Sequence, residues 1–140
     1  MKWVTWENIR VDRMACIWLI RRFIDPDAEF LFIPIGQTPL PEAHEPFDIP
    51  GVRLTHRQGQ CSFHTMLREY DLKDPVLKRI AQIVDEADLV HEVTVEPAAQ
   101  GLDVICRGLR RISPDDDTAM QHGQLIYDAL YAELSADPQR

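Results

Sequence analysis

Apolar residues near the N-terminus recur at the spacing of an amphipathic helix. Within residues 12–24 they fall at positions 15, 16, 19, 20, 23 and 24, which share one face at about 100° per residue. Asp12 stands at the start of this pattern, where an aspartate often caps the free amides of a first turn. Pro26 follows Asp25, and the residue before a proline avoids the helical region. The pattern predicts a helix from Asp12 to about Ile24.

Two short strands are predicted next, with a loop between them. Residues 29–33 form an apolar run that stops at Pro34, as is typical of a buried strand. Residues 52–56 alternate, so that Val52, Leu54 and His56 share one face, and His56 is expected to point inward. Residues 36–50 contain four prolines and are long enough to act as a lid or a partner surface.

The middle of the chain predicts two helices. Ser62 can cap a short helix over residues 62–70. Asp74 followed by Pro75 is a typical start for a longer one, because proline suits the first turn. The apolar stripe of this longer helix consists of Leu77, Ile80, Ala81 and Val84. Continuing by four residues reaches Asp88, a carboxylate in the middle of the apolar face, which is unexpected unless it is paired, hydrogen-bonded or bound to a metal.

Two more helices are predicted in the C-terminal third. Pro97 opens the first, and Ser113 and Asp116 have the spacing of a capping box at the start of the second. The expected core positions are Leu102, Ile105, Leu109 and Ile112 in the first, and Ala119, Gly123, Ile126, Leu130 and Leu134 in the second. Gly123 on such a face indicates close helix packing. About five helices with two or three short strands make an α-rich α+β fold.

Size and composition are those of one globular domain spanning residues 1–140, with 45% hydrophobic and 27% charged residues. No apolar run is long enough to cross a membrane, and the N-terminus lacks a signal-peptide pattern. Three cysteines without paired spacing indicate reduced thiols. We therefore expect a cytoplasmic protein with no membrane partner, and we leave homo-oligomer formation open.

The net charge of −8 excludes a typical nucleic-acid surface, which needs clustered lysine and arginine. Residues 1–24 are nevertheless cationic, which suits a small anion or an acidic partner. Arg13 falls in the first turn of a predicted helix, where a cation is unfavourable to the helix dipole. Its position indicates a partner, either an acidic side chain or a bound anion.

The polar segment from His56 to His64 is the most function-like feature of the sequence. It carries two imidazoles, the Arg57 guanidinium and the Cys61 thiol around Gly59, between a predicted strand and a predicted helix. A loop of this kind gathers side chains at one edge and leaves the first helical amides free for an anion. Histidine, cysteine and carboxylate are also the usual ligands of zinc, iron or manganese.

Asp85 and Asp88 complete the metal hypothesis from another helix. At i and i+3 they lie on neighbouring parts of one face and can supply oxygen ligands to His56 and His64. The predicted metal ligands are therefore His56, His64, Asp85 and Asp88. The alternative is structural: His56 ends the strand, His64 is exposed to solvent, and Asp88 bonds a backbone amide.

Cys61 is the candidate catalytic residue, because it is the one cysteine outside the predicted apolar stripes. Near Arg57, the histidines and a helix N-terminus its thiolate would be favoured. Nothing in the sequence specifies an oxyanion hole or a third catalytic member. Cys16 and Cys106 are expected to be inert core residues.

Several motifs together resemble the chromate-resistance protein family, the domain found at the C-terminus of the chromate-sensing regulator ChrB and also as a stand-alone protein. The longest is residues 12–25, Asp-Arg-Met-Ala-Cys-Ile-Trp-Leu-Ile-Arg-Arg-Phe-Ile-Asp. Further matches lie at residues 47–51, 56, 61–63, 74–75, 83–84, 88, 99, 101–102 and 127–131. The resemblance covers nearly the whole chain.

The resemblance implies a role in the bacterial chromate response and carries no defined catalytic mechanism. His64 stands where the family more often has an acid, and Asp85 where it more often has histidine, so the two positions exchange an imidazole and a carboxylate. Ile17 replaces a proline and Ala98 replaces an acid. The regulator's N-terminal DNA-binding portion has no counterpart here, which together with the acidic charge argues against direct operator binding.

Three hypotheses follow from the sequence. The first is a chromate-resistance protein that binds a metal ion through its histidines and aspartates, or an oxyanion such as chromate through Arg13 and Arg57. The second is a metal- or thiol-dependent redox enzyme of detoxification. The third is an interaction module for a regulator or transporter, which uses the proline loop and the tryptophans.

Overall fold

The computed structural model describes residues 1–136. A small parallel sheet has strand order β2-β1-β3, with β1 in the centre. The elements in chain order are β1 Lys2–Trp6, α1 Val11–Leu19, β2 Glu29–Ile33, β3 Glu45–Pro46, α2 Ser62–Glu69, α3 Pro75–Asp88, α4 Ala98–Ile112 and α5 Asp116–Ala136. The α-rich α+β fold predicted from the pattern is confirmed, although β1 had no counterpart in the prediction.

Helix α1 is the centre of the core and contacts each of the other four helices. Its last turn widens into a π-helical segment, Ile20–Ile24, where the amide of Asp25 bonds the Ile20 carbonyl at 2.6 Å. The predicted span is therefore correct. The predicted cap is wrong, because the residue before the helix is Arg10 and Asp12 is buried inside the first turn.

The predicted strand over residues 52–56 does not form. A turn through Gly51, with φ of 90°, returns the chain to Phe47, and only Leu54 pairs there in an isolated bridge. The amide of Asp48 donates to the Leu54 carbonyl at 2.7 Å. The structure therefore has one bridged residue pair here instead of a strand ladder. Residues 36–50 carry β3, so this loop is partly built into the sheet.

Helix α3 follows its prediction closely. The Asp74 side chain accepts from the Val76 amide at 2.8 Å, and the predicted stripe is fully buried. Helix α4 differs from its prediction, since Ile105 and Ile112 are 49% and 75% exposed while Cys106 is buried. The buried face of α4 runs through residues 99, 102 and 106, so it is rotated around the helix axis relative to the predicted face.

The start of α5 corrects the predicted capping box. Asp115 accepts from the Thr118 amide at 2.8 Å, whereas Asp116 accepts from the amides of Asn8 and Ile9. Ser113 instead donates to the Leu109 carbonyl at the end of α4. Close packing at Gly123 is confirmed, because a Cβ there would lie 3.2 Å from the Met14 sulfur.

These elements bring four parts of the chain together. The carboxyl end of β1, the first turn of α1, the N-terminus of α2 and the C-terminus of α3 meet at one edge of the sheet. Open parallel sheets generally bind ligands beyond the carboxyl ends of their strands. Among residues 1–136 no helix is long and apolar enough to cross a membrane.

Candidate metal centre

Asp12 caps helix α2 from across the molecule. Its Oδ2 accepts from the Ser62 amide at 2.9 Å, and its Oδ1 accepts from the Phe63 amide at 3.2 Å. The side chain is almost fully buried. A carboxylate at this place satisfies free amides and lies at the positive end of the helix dipole. Ser62, the predicted cap, is therefore the first residue of the helix and is itself capped.

His56 bridges two carboxylates. Its Nε2 lies 3.1 Å from Asp12 Oδ2 and 3.2 Å from Asp88 Oδ2. Hydrogen bonds to Asp12 and then to Asp88 raise the pKa of His56 from 6.5 to about 10. The ring does not point into the core as expected, because its side chain is 45% exposed and only Nε2 faces the acids.

Asp48 adds a third carboxylate. Its backbone is left-handed, with φ of 51°, which is uncommon for a residue other than glycine and concentrates at functional sites. Ser62 Oγ donates to Oδ1 at 2.5 Å, and Arg13 Nε lies 3.0 Å from Oδ2. Burial and the nearby charge of Asp12 raise the pKa of Asp48 to about 7.

Asp12, Asp48 and His56 form one convergent group. Each offers a ligand atom, and these atoms all lie within 4.8 Å of one another. The group lines a cavity of about 330 Å³ together with Trp6, Arg10 and Asp88, among others. One imidazole nitrogen with two or three carboxylate oxygens is a donor set that suits zinc, iron(II) or manganese(II). The arrangement can therefore hold a cation where the His56 Nε2 proton now lies.

His64 and Asp85 form a second, separate pair. His64 Nε2 lies 2.8 Å from Asp85 Oδ2, and Asp85 Oδ1 accepts from the Cys61 amide at 2.7 Å. Burial alone would raise the pKa of Asp85, but hydrogen bonds from His64 and Cys61 outweigh it and lower the pKa. His64 and Asp85, the two positions at which the resemblance implies an exchange of an imidazole and a carboxylate, are therefore in direct contact.

The four ligands predicted from the sequence thus occur as two pairs. His56 contacts Asp88, and His64 contacts Asp85. Within residues 1–136, no three of these four side chains place ligand atoms within 4.8 Å of one another. The predicted ligands are close partners in pairs, and their role in metal binding stays a prediction.

Cys61 is buried and is not an exposed thiol. It lies at the α2 N-terminus with its sulfur 3.9 Å from the Ala81 carbonyl oxygen. Burial, followed by the charges of Asp12 and Asp85, raises the pKa of the thiol well above its usual value. These surroundings oppose thiolate formation, which corrects the expectation drawn from its place in the sequence. Cys16 and Cys106 are buried core residues, as expected.

The two candidate oxyanion-binding arginines lie apart. Arg13 is in the cavity, but its guanidinium is engaged by the carboxylate and the carbonyl of Asp48. Arg57 lies 3.4 Å from Glu69 and donates to the Arg53 carbonyl at 2.6 Å, outside the residues that line this cavity. The acidic partner expected for Arg13 is therefore Asp48, an acid that the sequence had not suggested.

Asp12 and Asp48 are the site residues that sequence reasoning missed. The sequence pattern places Asp12 at the start of its own helix, and Asp48 stands out only within the family motif at residues 47–51. The sequence does contain a sign of the role of Asp12. Helix α1 is nearly all apolar apart from Asp12 and Arg13, and burying a carboxylate in such a helix costs free energy unless it has partners. The remaining histidines, His44, His91 and His122, lie outside this group.

The geometry defines a small α-rich domain with a carboxylate-rich histidine site at the edge of a parallel sheet. Residues 3–134 match the family described as ChrB, C-terminal domain. Protein ChrB of Cupriavidus metallidurans is 34% identical over 140 residues, which is 99% of this chain and 42% of that protein. The chain therefore belongs to the ChrB C-terminal domain family, as its motifs predicted, and spans less than half of the relative. No solved structure matches it.

Proposed function

We propose that this domain binds a divalent transition-metal cation through Asp12, Asp48 and His56, with Asp88 as a further oxygen ligand. The observation that carries the proposal is that ligand atoms of Asp12, Asp48 and His56 lie within 4.8 Å of one another beside an open cavity. Zinc, iron(II) and manganese(II) are the candidates, because each accepts mixed nitrogen and oxygen ligands.

The charges of the site favour a cation over an oxyanion. Three carboxylates face the cavity. Of the two arginines that line it, Arg13 is already paired with Asp48, and Arg10 lies 3.9 Å from Asp103. A dianion placed beside Asp12 and Asp88 would meet like charges at short range, which costs free energy. A metal cation would instead replace the proton that His56 now shares between these two acids.

The biological setting follows from family membership and is part of the proposal. A ChrB C-terminal domain is expected to act in the chromate response, either in sensing or in resistance. On this proposal the domain's direct ligand is a metal cation, and a free oxyanion does not bind to the His56 cavity.

Elemental analysis after equilibrium dialysis tests this proposal. The chelator-treated chain is dialysed against Zn²⁺, Mn²⁺ or anaerobic Fe²⁺, and metal per chain is compared between wild type and His56→Ala. We expect about one ion per wild-type chain and a loss of at least about tenfold in affinity for the variant, because a direct ligand is removed.

His122→Ala is the matched control, because that histidine is exposed on α5 and outside the group. It should retain full metal binding. Wild-type protein that takes up none of the three metals would contradict the proposal, as would equal losses in the two variants. Binding of chromate to the metal-free chain with a dependence on Arg13 would favour the oxyanion alternative instead.

The rival hypotheses lose support at specific residues. A thiol-dependent enzyme needs a reactive thiolate, and Cys61 is buried with a raised pKa. A pure interaction module would be favoured by a buried His56 without a neighbouring pocket, yet His56 lines the cavity and is nearly half exposed. A metal-dependent catalyst would share the proposed site and would differ from a stoichiometric binder by multiple turnovers in chromate reduction or superoxide removal.

A further inference from the structure

Helix α4 carries two apolar faces, and the described residues 1–136 cover only one of them. The covered face consists of Ala99, Leu102 and Cys106, with Leu109 half-buried beside them. The second face consists of Gly101, Val104, Ile105, Gly108 and Ile112. At about 100° per residue these five positions fall in a sector about 100° wide. We call this second set the α4 stripe.

The α4 stripe is well exposed. Val104, Ile105 and Ile112 are 67%, 49% and 75% exposed, and a Cβ placed on Gly101 or Gly108 would meet no atom within 4 Å. The segment leading into α4 also exposes Val93 and Val95. Scattered exposed apolar side chains are ordinary, but a contiguous set on one helix face marks an interaction surface.

The glycines make the α4 stripe suitable for another helix. Gly101 and Gly108 are seven residues apart and lie on the same side, with Val104 and Ile105 between them. Helices approach each other closely where small residues replace large side chains. The stripe also explains why the sequence pattern wrongly placed Ile105 and Ile112 in the core, since the pattern cannot tell an internal partner from an external one.

One border of the α4 stripe carries arginines, although the protein is acidic. Arg107 and Arg111 lie along this border, whereas Arg110 lies nearly opposite the stripe at about 100° per residue, and Asp103 is the one acid of the helix. The three arginines line a groove that Glu7, Asp115 and Asp116 also line. Arg107 pairs with Asp103 at 2.9 Å. Arg110 and Arg111 have no hydrogen-bond or ion-pair partner within the part of the chain that the structure describes, residues 1–136. Arg111 lies closest to the stripe, next to Val104 around the helix.

We infer that the α4 stripe docks an amphipathic helix of another protein whose apolar face is bordered by aspartate and glutamate. The apolar face would cover the three aliphatic side chains, and its acids would pair with Arg107 and Arg111. A second copy of this chain fits less well, because neither border of its own α4 stripe offers an acid to Arg107 and Arg111.

Two synthetic helical peptides test this inference on the full chain. Both are about 18 residues long, enough for about five turns, and share one leucine stripe; glutamates border it in one and lysines in the other. Binding is measured by fluorescence anisotropy and located by amide chemical shifts. We expect the glutamate peptide to bind at least about tenfold more tightly, with shifts confined to α4 and the segment before it.

Ile105→Glu and Leu125→Glu are the matched variants. Both side chains are exposed, so both proteins should melt like wild type, but only Ile105 lies in the α4 stripe. Ile105→Glu should lower the affinity for the glutamate peptide at least about tenfold, because the complex no longer buries an aliphatic side chain at this position. Equal affinity for the two peptides, no binding, or equal effects of the two variants would overturn the inference. So would a dimer of the free chain that Ile105→Glu dissociates, since the stripe would then pair with its own copy.

Discussion

Replacing Asp48 by asparagine should stabilise the metal-free protein above neutral pH. An unfolded chain ionises this carboxyl near pH 3.9, whereas the folded protein retains its proton up to about pH 7, because the group is buried beside Asp12. Between these values the folded state binds more protons than the unfolded state, so stability falls as pH rises. Above about pH 7 the wild type bears the whole free-energy cost of a buried, ionised Asp48, and the Asp48→Asn protein does not.

The magnitude follows from the difference between the two pKa values. A difference of about three units corresponds to about 4 kcal/mol as an upper bound. Asparagine retains an oxygen that can accept from Ser62 Oγ, so the change removes the charge and keeps that bond. It also weakens the contact with Arg13, which offsets part of the gain. We expect a gain of about 2–4 kcal/mol at pH 8 that disappears near pH 4.

Urea unfolding with a chelator present, at several pH values from about 4 to about 8, measures this difference. Asp27→Asn is the control, because Asp27 is an exposed acid in a turn. An Asp48→Asn protein that is less stable than wild type at pH 8 would contradict this prediction, and so would a gain in stability that does not depend on pH. Added metal should narrow this difference, since ligand at about 100 times its dissociation constant stabilises the wild type by about 2.7 kcal/mol.

Three other predictions concern single residues. Replacing His56 by glutamine should lower the free energy of unfolding by about 1 kcal/mol at or below about pH 6.5, a value discounted because the ring is nearly half exposed. The loss should fade as pH rises toward 10, which urea titrations at several pH values check. None of the three buried cysteines should react with a thiol reagent in the native protein, so fast labelling in a mass-spectrometric time course would contradict the burial of Cys61. Gly123→Ala should destabilise the protein by about 1 kcal/mol through its contact with Met14, whereas Gly108→Ala, in open space on a helix, should stabilise it by a similar amount; thermal melts compare the two.

Local patterns predicted the helices well where the deciding contacts lie within one element. In α3, Asp74 caps an amide only two residues away. The apolar stripe at residues 77, 80, 81 and 84 lies on a single face of the helix, and that face is the buried one. The span of α1 was also predictable, since Pro26 ends it whatever surrounds it. The resemblance to the ChrB family was visible for a similar reason, because it rests on runs of adjacent residues.

The site could be predicted only in part, because its contacts join distant parts of the chain. Asp12 looks like a cap for its own helix, but the amides it binds are about 50 residues away in α2. Asp48 becomes a site residue through a left-handed turn that no periodicity shows. His56 and Asp88 can be found from local patterns. His56 begins a segment rich in reactive side chains, and Asp88 is a carboxylate in the middle of an apolar stripe.

An anomalous difference map from crystals grown with Mn²⁺ or Zn²⁺ is the most direct test of the metal centre. We expect one peak in the cavity beside β1, at about 2.0–2.3 Å from His56 Nε2 and from carboxylate oxygens of Asp12 and Asp48. A cavity without a peak at a saturating metal concentration, or a peak held only by His64 and Asp85, would contradict it.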